Sequence, residues 1–202
     1  MIETIPAERV VSDVETLKAI SDPVRLRILE TMIADPHEPW TVKRLAKALG
    51  SAPTRLYHHI KVLEERDLIT VAGTRVVQGI IETSYRPAQL SIRLDRALLS
   101  GANPEAVAPA HAMLASVFDS ARDEIEQSLR KGLLGSGDDE RRGLVERGRA
   151  NLTPARATEL RDRLKQLIDE YAEDDPVPGS ASFGLLVALY PVEQQQKDES
   201  DD

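Results

Sequence analysis

The chain of 202 residues contains no cysteine, which excludes disulfides and any thiolate metal site. Aromatics are scarce, at two Phe, one Trp and four Tyr. That argues against a single-stranded nucleic-acid binder, whose bases stack on aromatic platforms. No apolar run approaches the ~20 residues needed to cross a bilayer. The first segment, MIETIPAERVVSD, has early acids and no apolar centre, unlike a signal peptide. A cytoplasmic chain without a membrane partner is therefore expected. Catalytic signatures are missing too: there is no G-x-S-x-G, no Walker-type phosphate loop and no H-E-x-x-H. The carboxylate pairs Glu64-Glu65 and Asp174-Asp175 lie in solvated charge runs. The expectation is a protein that is not an enzyme and needs no cofactor.

What is present is ordinary for a globular chain, with 41% apolar and 30% charged residues. The net charge of −8 is unevenly spread. Residues 1–100 carry 14 Lys and Arg against 13 Asp and Glu, whereas residues 101–202 carry 12 against 21. No acid occurs from Thr41 to Leu63, while Lys43, Arg44, Lys47, Arg55 and Lys61 all fall there. Local phosphate neutralisation, not whole-chain charge, gives affinity for DNA. Alone, such a run could equally be a solvated face.

Local patterns order the first half. Ser12 and Glu15 form an S-x-x-E capping pattern ahead of Val14, Leu17 and Ile20. Asp22-Pro23 suits an N-cap and first helical position, with Val24, Ile28, Leu29 and Met32 at helical spacing. Thr41 caps a third helix carrying Val42, Leu45, Ala46 and Leu49, closed by Gly50. Pro53 starts a fourth, with Leu56, Ile60 and Leu63 as its apolar stripe. Leu68–Val71 and Arg75–Ser84 are β-rich and joined by Ala72-Gly73-Thr74, which predicts a hairpin.

Two helices joined by the tight turn Leu49–Ala52, then a hairpin, make the order a winged helix-turn-helix needs. The second helix of such a pair enters the major groove, which is about 12 Å wide. At about 100° per residue, Thr54, His58 and Lys61 oppose the apolar stripe. Arg55 is lateral and His59 flanks the stripe. Tyr57 lies on the shoulder, either groove-facing or at the edge of the core. Lys43, Arg44 and Lys47 would sit against the DNA backbone, and Arg75, near the expected hairpin tip, would reach phosphate or the minor groove. His58 and His59 diverge around the helix, so no metal site is expected from them.

The second half is less distinct. Gln89–Ser100 suits a strand through Leu90, Ile92 and Leu94, or a helix through Leu94, Leu98 and Leu99. A long helix is expected over about Glu105–Leu133, ended by Gly135–Asp138. Its stripe of Val107, Leu114, Val117, Ala121, Ile125 and Leu129 suits either an internal core or a dimer seam. Leu144–Leu152 is a weak strand candidate, Thr153-Pro154 opens a further helix, and Asp174–Ser180 reads as a loop. Phe183–Val192 reads as a buried strand.

The segments LKAISDPVRLRILETM, TVKRLAKALG and LYHHIKVLEERDLI resemble the ArsR-type winged-helix repressors over residues 14–87. The resemblance implies that Pro53, Thr54, Tyr57, His58 and Lys61 read DNA, and that a homodimer binds a near-palindromic operator. The soft-metal cysteines of that family's founding branch are missing here. The expected fold is mainly α with a β-hairpin wing. A winged helix-turn-helix would occupy residues 1–100, and a C-terminal α+β module (long helix, helix, strand) for dimerisation or effector binding 101–192. A disordered acidic tail would cover 193–202. The expected function is a sequence-specific duplex DNA-binding transcriptional regulator, a repressor by resemblance, with an unidentified small-molecule effector. The alternative is a winged-helix protein-interaction module without a DNA role.

Overall fold

The computed structural model describes residues 5–134, 143–172, 181 and 183–192. The chain divides into two compact units, Met1–Asp123 and Glu124–Asp202.

The first unit starts with a short strand, β1 (Glu8–Val11), then α1 (Val14–Ile20). The cap of α1 is Asp13 rather than the expected Ser12. Asp13 is the extended residue immediately before the first helical turn, and its carboxylate accepts from the Thr16 amide at 2.7 Å. Glu15 pairs with Lys18 instead, at 2.7 Å. Asp22 opens α2 (Pro23–Ile33) by accepting from the amides of Val24 and Arg25, both at 3.0 Å. A two-residue strand, β2 (Trp40–Thr41), leads into α3 (Val42–Ala48), where Thr41 Oγ1 accepts from the Arg44 amide. After a four-residue turn comes α4 (Pro53–Glu65).

Two long strands follow, β3 (Ile69–Val77) and β4 (Ile80–Pro87), antiparallel, with β2 pairing on the far side of β4. The hairpin turn is Gln78-Gly79, not the expected Ala72-Gly73-Thr74. Gln78 and Gly79 both have positive φ, as a two-residue turn matched to the strand twist requires. Gly73 instead marks a bulge, where the register shifts between Val71 and Gly73. Arg75 consequently lies in the ladder opposite Glu82 and not at the tip.

The segment after the hairpin satisfies both readings of Gln89–Ser100. It forms β5 (Ser91–Leu94), parallel to β1, and then a single turn of helix, α5 (Arg96–Leu99). α6 (Pro104–Arg130) begins in the first unit. Its Ala106 and Ala110 are buried in the same apolar cluster as Leu17, Ile28, Leu45, Leu56 and Leu63, and Met113 packs against that cluster. Ser120 Oγ donates to Glu30 Oε2 at 2.7 Å. The start of α6 thus completes this core, and the expected boundary at 100/101 falls inside the first unit.

In the second unit α6 ends at a left-handed Gly132 (φ +66°), with Leu133 N donating to Ser128 O. This stop precedes the expected one at 135–138, which is outside the described residues, as are the loop at 174–180 and the tail at 193–202. α7 is Pro154–Ala172. Neither Leu144–Leu152 nor Phe183–Val192 forms a strand. Leu144 and Phe183 are 84% and 65% exposed. A strand needs a neighbouring edge for its amides and carbonyls, and neither stretch pairs with a strand among the described residues.

Candidate nucleic-acid interface

The turn between α3 and α4 is set by Gly50. Its φ of +60° lets Ser51 N donate to Ala46 O at 2.9 Å and Gly50 N to Lys47 O at 3.4 Å. This pair of bonds satisfies the last carbonyls of α3 and reverses the chain. Pro53 then presets the first turn of α4. The far end of α4 is tied down as well. Asp67 has φ +52°, and Leu68 N donates to Leu63 O. Arg9 of β1 donates through its guanidinium to the carbonyls of Arg66 and Asp67. A cation at a helix C-terminus also complements the dipole.

Both ends being fixed, α4 presents a defined outer face. Leu56, Ile60 and Leu63 are buried, while Thr54, Arg55, Tyr57, His58 and Lys61 are exposed. Tyr57 is 57% exposed, so it belongs to the surface and not to the core edge. Pro53 is half-buried at the helix start. His59 turns inward, its Nδ1 3.4 Å from Asp22 Oδ1 at the start of α2. Residues 20–72 match the family model of a helix-turn-helix domain. No curated protein matches the chain.

The match runs from the end of α1 into β3. It includes both helices of the helix-turn-helix and stops at Ala72, short of most of the hairpin. An antiparallel sheet directly after such a domain is consistent with a winged helix. A helix-turn-helix domain points to a DNA-binding regulator. No helix of the described residues is long and apolar enough to cross a membrane.

The expected phosphate-binding cations differ in how they are held. Lys47 and Arg55 are exposed and make no ion pair among the described residues. Lys61 stands 3.7 Å from Glu65 one turn on, a solvent-exposed contact of little energetic weight. Arg44 is firmly engaged. Its guanidinium meets Glu38 at 2.7 Å and Asp35 at 3.5 Å, and stacks 4.2 Å over the Trp40 ring. Lys43 and Arg75 converge on one carboxylate, Glu82, at 3.7 and 2.6 Å. The hydrogen bond from Arg75 is the main cause that holds the Glu82 carboxyl below its ordinary range. Thr41, Arg44, Arg75, Glu82 and Ser84 line a cleft of about 430 Å³ between the start of α3 and the hairpin.

Sequence reasoning missed Arg9 and Glu82. Arg9 lies 57 residues from the carbonyl of Arg66, and no local pattern couples them. Glu82 carried a signal, because it sits among β-branched residues at an alternation that faces Arg75 once the hairpin register is known. The misplaced turn hid that register.

Proposed function

We propose that the protein is a sequence-specific regulator of transcription that binds duplex DNA as a homodimer, resembling ArsR-type repressors. The observation that carries this reading is the outer face of α4. Within a matched helix-turn-helix domain, five side chains able to donate hydrogen bonds stand clear of a buried apolar stripe. Thr54, Tyr57 and His58 are assigned to base edges, and Lys47, Arg55 and Lys61 to phosphates. The cluster that holds Arg44 gives it a smaller role at the backbone. Leu114 and Phe118, 43% and 50% exposed on α6, support a self-association surface. Two copies would place their α4 helices about 34–36 Å apart, in successive major grooves. Repression, a near-palindromic operator, a cytoplasmic setting, a non-enzymatic role and an effector bound beyond the helix-turn-helix complete the proposal.

Selection of duplexes from random sequence by the full chain, repeated at several salt concentrations, tests it. Enrichment of a near-palindrome with steep salt dependence is expected. Lys61→Ala should weaken binding to every duplex and flatten the slope of log K against log salt by ~0.9. His58→Ala should instead change sequence preference, at a cost of about 1–3 kcal/mol on the preferred site. A folded protein that binds no duplex at low salt would remove the reading.

A further inference from the structure

The stretch from Thr41 to Leu63 is free of acids in sequence, but folding brings acids into contact with it, and one of them comes from the hairpin. Glu82 of β4 faces Arg75 across the ladder and accepts from its Nε at 2.8 Å, with Nη2 at 2.6 Å. Lys43 Nζ of α3 lies 3.7 Å from the other carboxylate oxygen. The exposures are opposite in sense. The Glu82 side chain is 15% exposed, whereas those of Arg75 and Lys43 are 71% and 73% exposed. One sheltered carboxylate therefore binds Arg75 closely and stands within ion-pair reach of Lys43, two cations that reach into solvent from different elements, at the edge of the cleft beside α3. Like any carboxylate it is ionised at neutral pH, and the hydrogen bond from Arg75 holds its pKa below the ordinary value.

We propose that Glu82 is a built-in counter-charge that holds Arg75 and Lys43 back from DNA phosphates and so limits the sequence-independent part of binding. The proposal rests on the DNA-binding reading above. Phosphate and carboxylate compete for the same guanidinium fork and the same ammonium. While Glu82 occupies both cations, a phosphate gains less by approaching them, and fewer counterions are released on binding. Glu82 thereby shifts the weight of recognition from backbone charge to the base-reading face of α4.

The test compares the full-length protein with its Glu82→Gln variant on one random-sequence duplex across a salt series. The variant keeps the side-chain shape and an oxygen acceptor for Arg75, and matching thermal midpoints verify its fold. It is expected to bind more tightly, with a slope steeper by ~0.9 for each cation released. Over a fourfold drop in salt it should therefore gain about 3.5-fold more affinity per cation than the parent. Arg75→Gln supplies a second arm. It should remove part of the gain in the Glu82→Gln background, so that its effect there differs from its effect in the parent, a non-additive pair. Equal slopes, weaker binding by Glu82→Gln, or additive effects of the two substitutions would each overturn the proposal. Binding by neither protein at low salt removes the DNA-binding reading with it, whereas a binding parent and an unchanged variant remove the counter-charge alone.

Discussion

At the scale of single residues, side-chain caps mark where α1, α2 and α3 begin. Asp13 is the clearest instance. Its carboxyl lies below the ordinary range, chiefly because it accepts from the Thr16 amide. Replacing it with Ala removes that acceptor and should cost about 1 kcal/mol at neutral pH, read by urea unfolding. The pH dependence has a definite sign. A carboxyl whose pKa is lowered by folding stabilises above its unfolded value and loses that stabilisation as pH falls through its native value. The difference between parent and Asp13→Ala should therefore shrink below about pH 4. Asp22 and Thr41 were legible from sequence because a cap acts on amides two or three positions away, and Pro53 because its fixed φ suits the first helical turn. Asp13 was not. Ser12 also fits the pattern, and only the backbone angles decide which residue is the last extended one. Charge partners were less legible still, since Arg44 meets Asp35 and Glu38 only when the 35–40 segment folds back over α3.

At the scale of elements, the turn between α3 and α4 depends on a backbone conformation that L side chains adopt with strain. A Cβ at Gly50 would meet nothing within 4 Å, so a substitution there is penalised by φ alone. Gly50→Ala is expected to lose about 1–2 kcal/mol of stability without a clash, seen as a lower urea midpoint at unchanged m-value. The apolar periodicity of α2, α3 and α4 was readable because each buries one stripe against a shared core. The hairpin was readable as a pair of strands but not in register. Ala72-Gly73-Thr74 carries ordinary turn chemistry, yet the bulge uses that glycine and the chain continues to Gln78-Gly79 before reversing. The strands expected at 144–152 and 183–192 failed for a different reason. Apolar composition signals burial or extension, but it supplies no neighbour to pair with.

At the scale of the whole molecule, the helix-turn-helix part depends on a segment outside the matched residues. Ala106 and Ala110 are buried in the core of the first unit, and Ser116 and Ser120 hydrogen-bond to α1–α2 groups. A fragment ending at Ser100 leaves that core open, whereas one ending at Asp123 retains the covering helix. The shorter fragment should melt lower in calorimetry. Each ~1 kcal/mol lost corresponds to roughly 4–8 °C in a domain of this size. Equal melting temperatures would mean that α6 adds nothing to the fold of the first unit. Composition alone placed the division at residue 100, because Gly101–Pro104 looks like a linker. Long-range packing moves it past the middle of α6.

The lone tryptophan gives this architecture an optical consequence. Trp40 is 7% exposed, pairs with Tyr85 across β2 and β4, donates from its indole nitrogen to Asp35 O, and lies beneath the Arg44 guanidinium. Light that excites only indole therefore interrogates one spot, the joint between α3 and the hairpin. Any phosphate that draws Arg44 off the ring will alter the emission of that single chromophore, without a label and without a contribution from any other part of the chain.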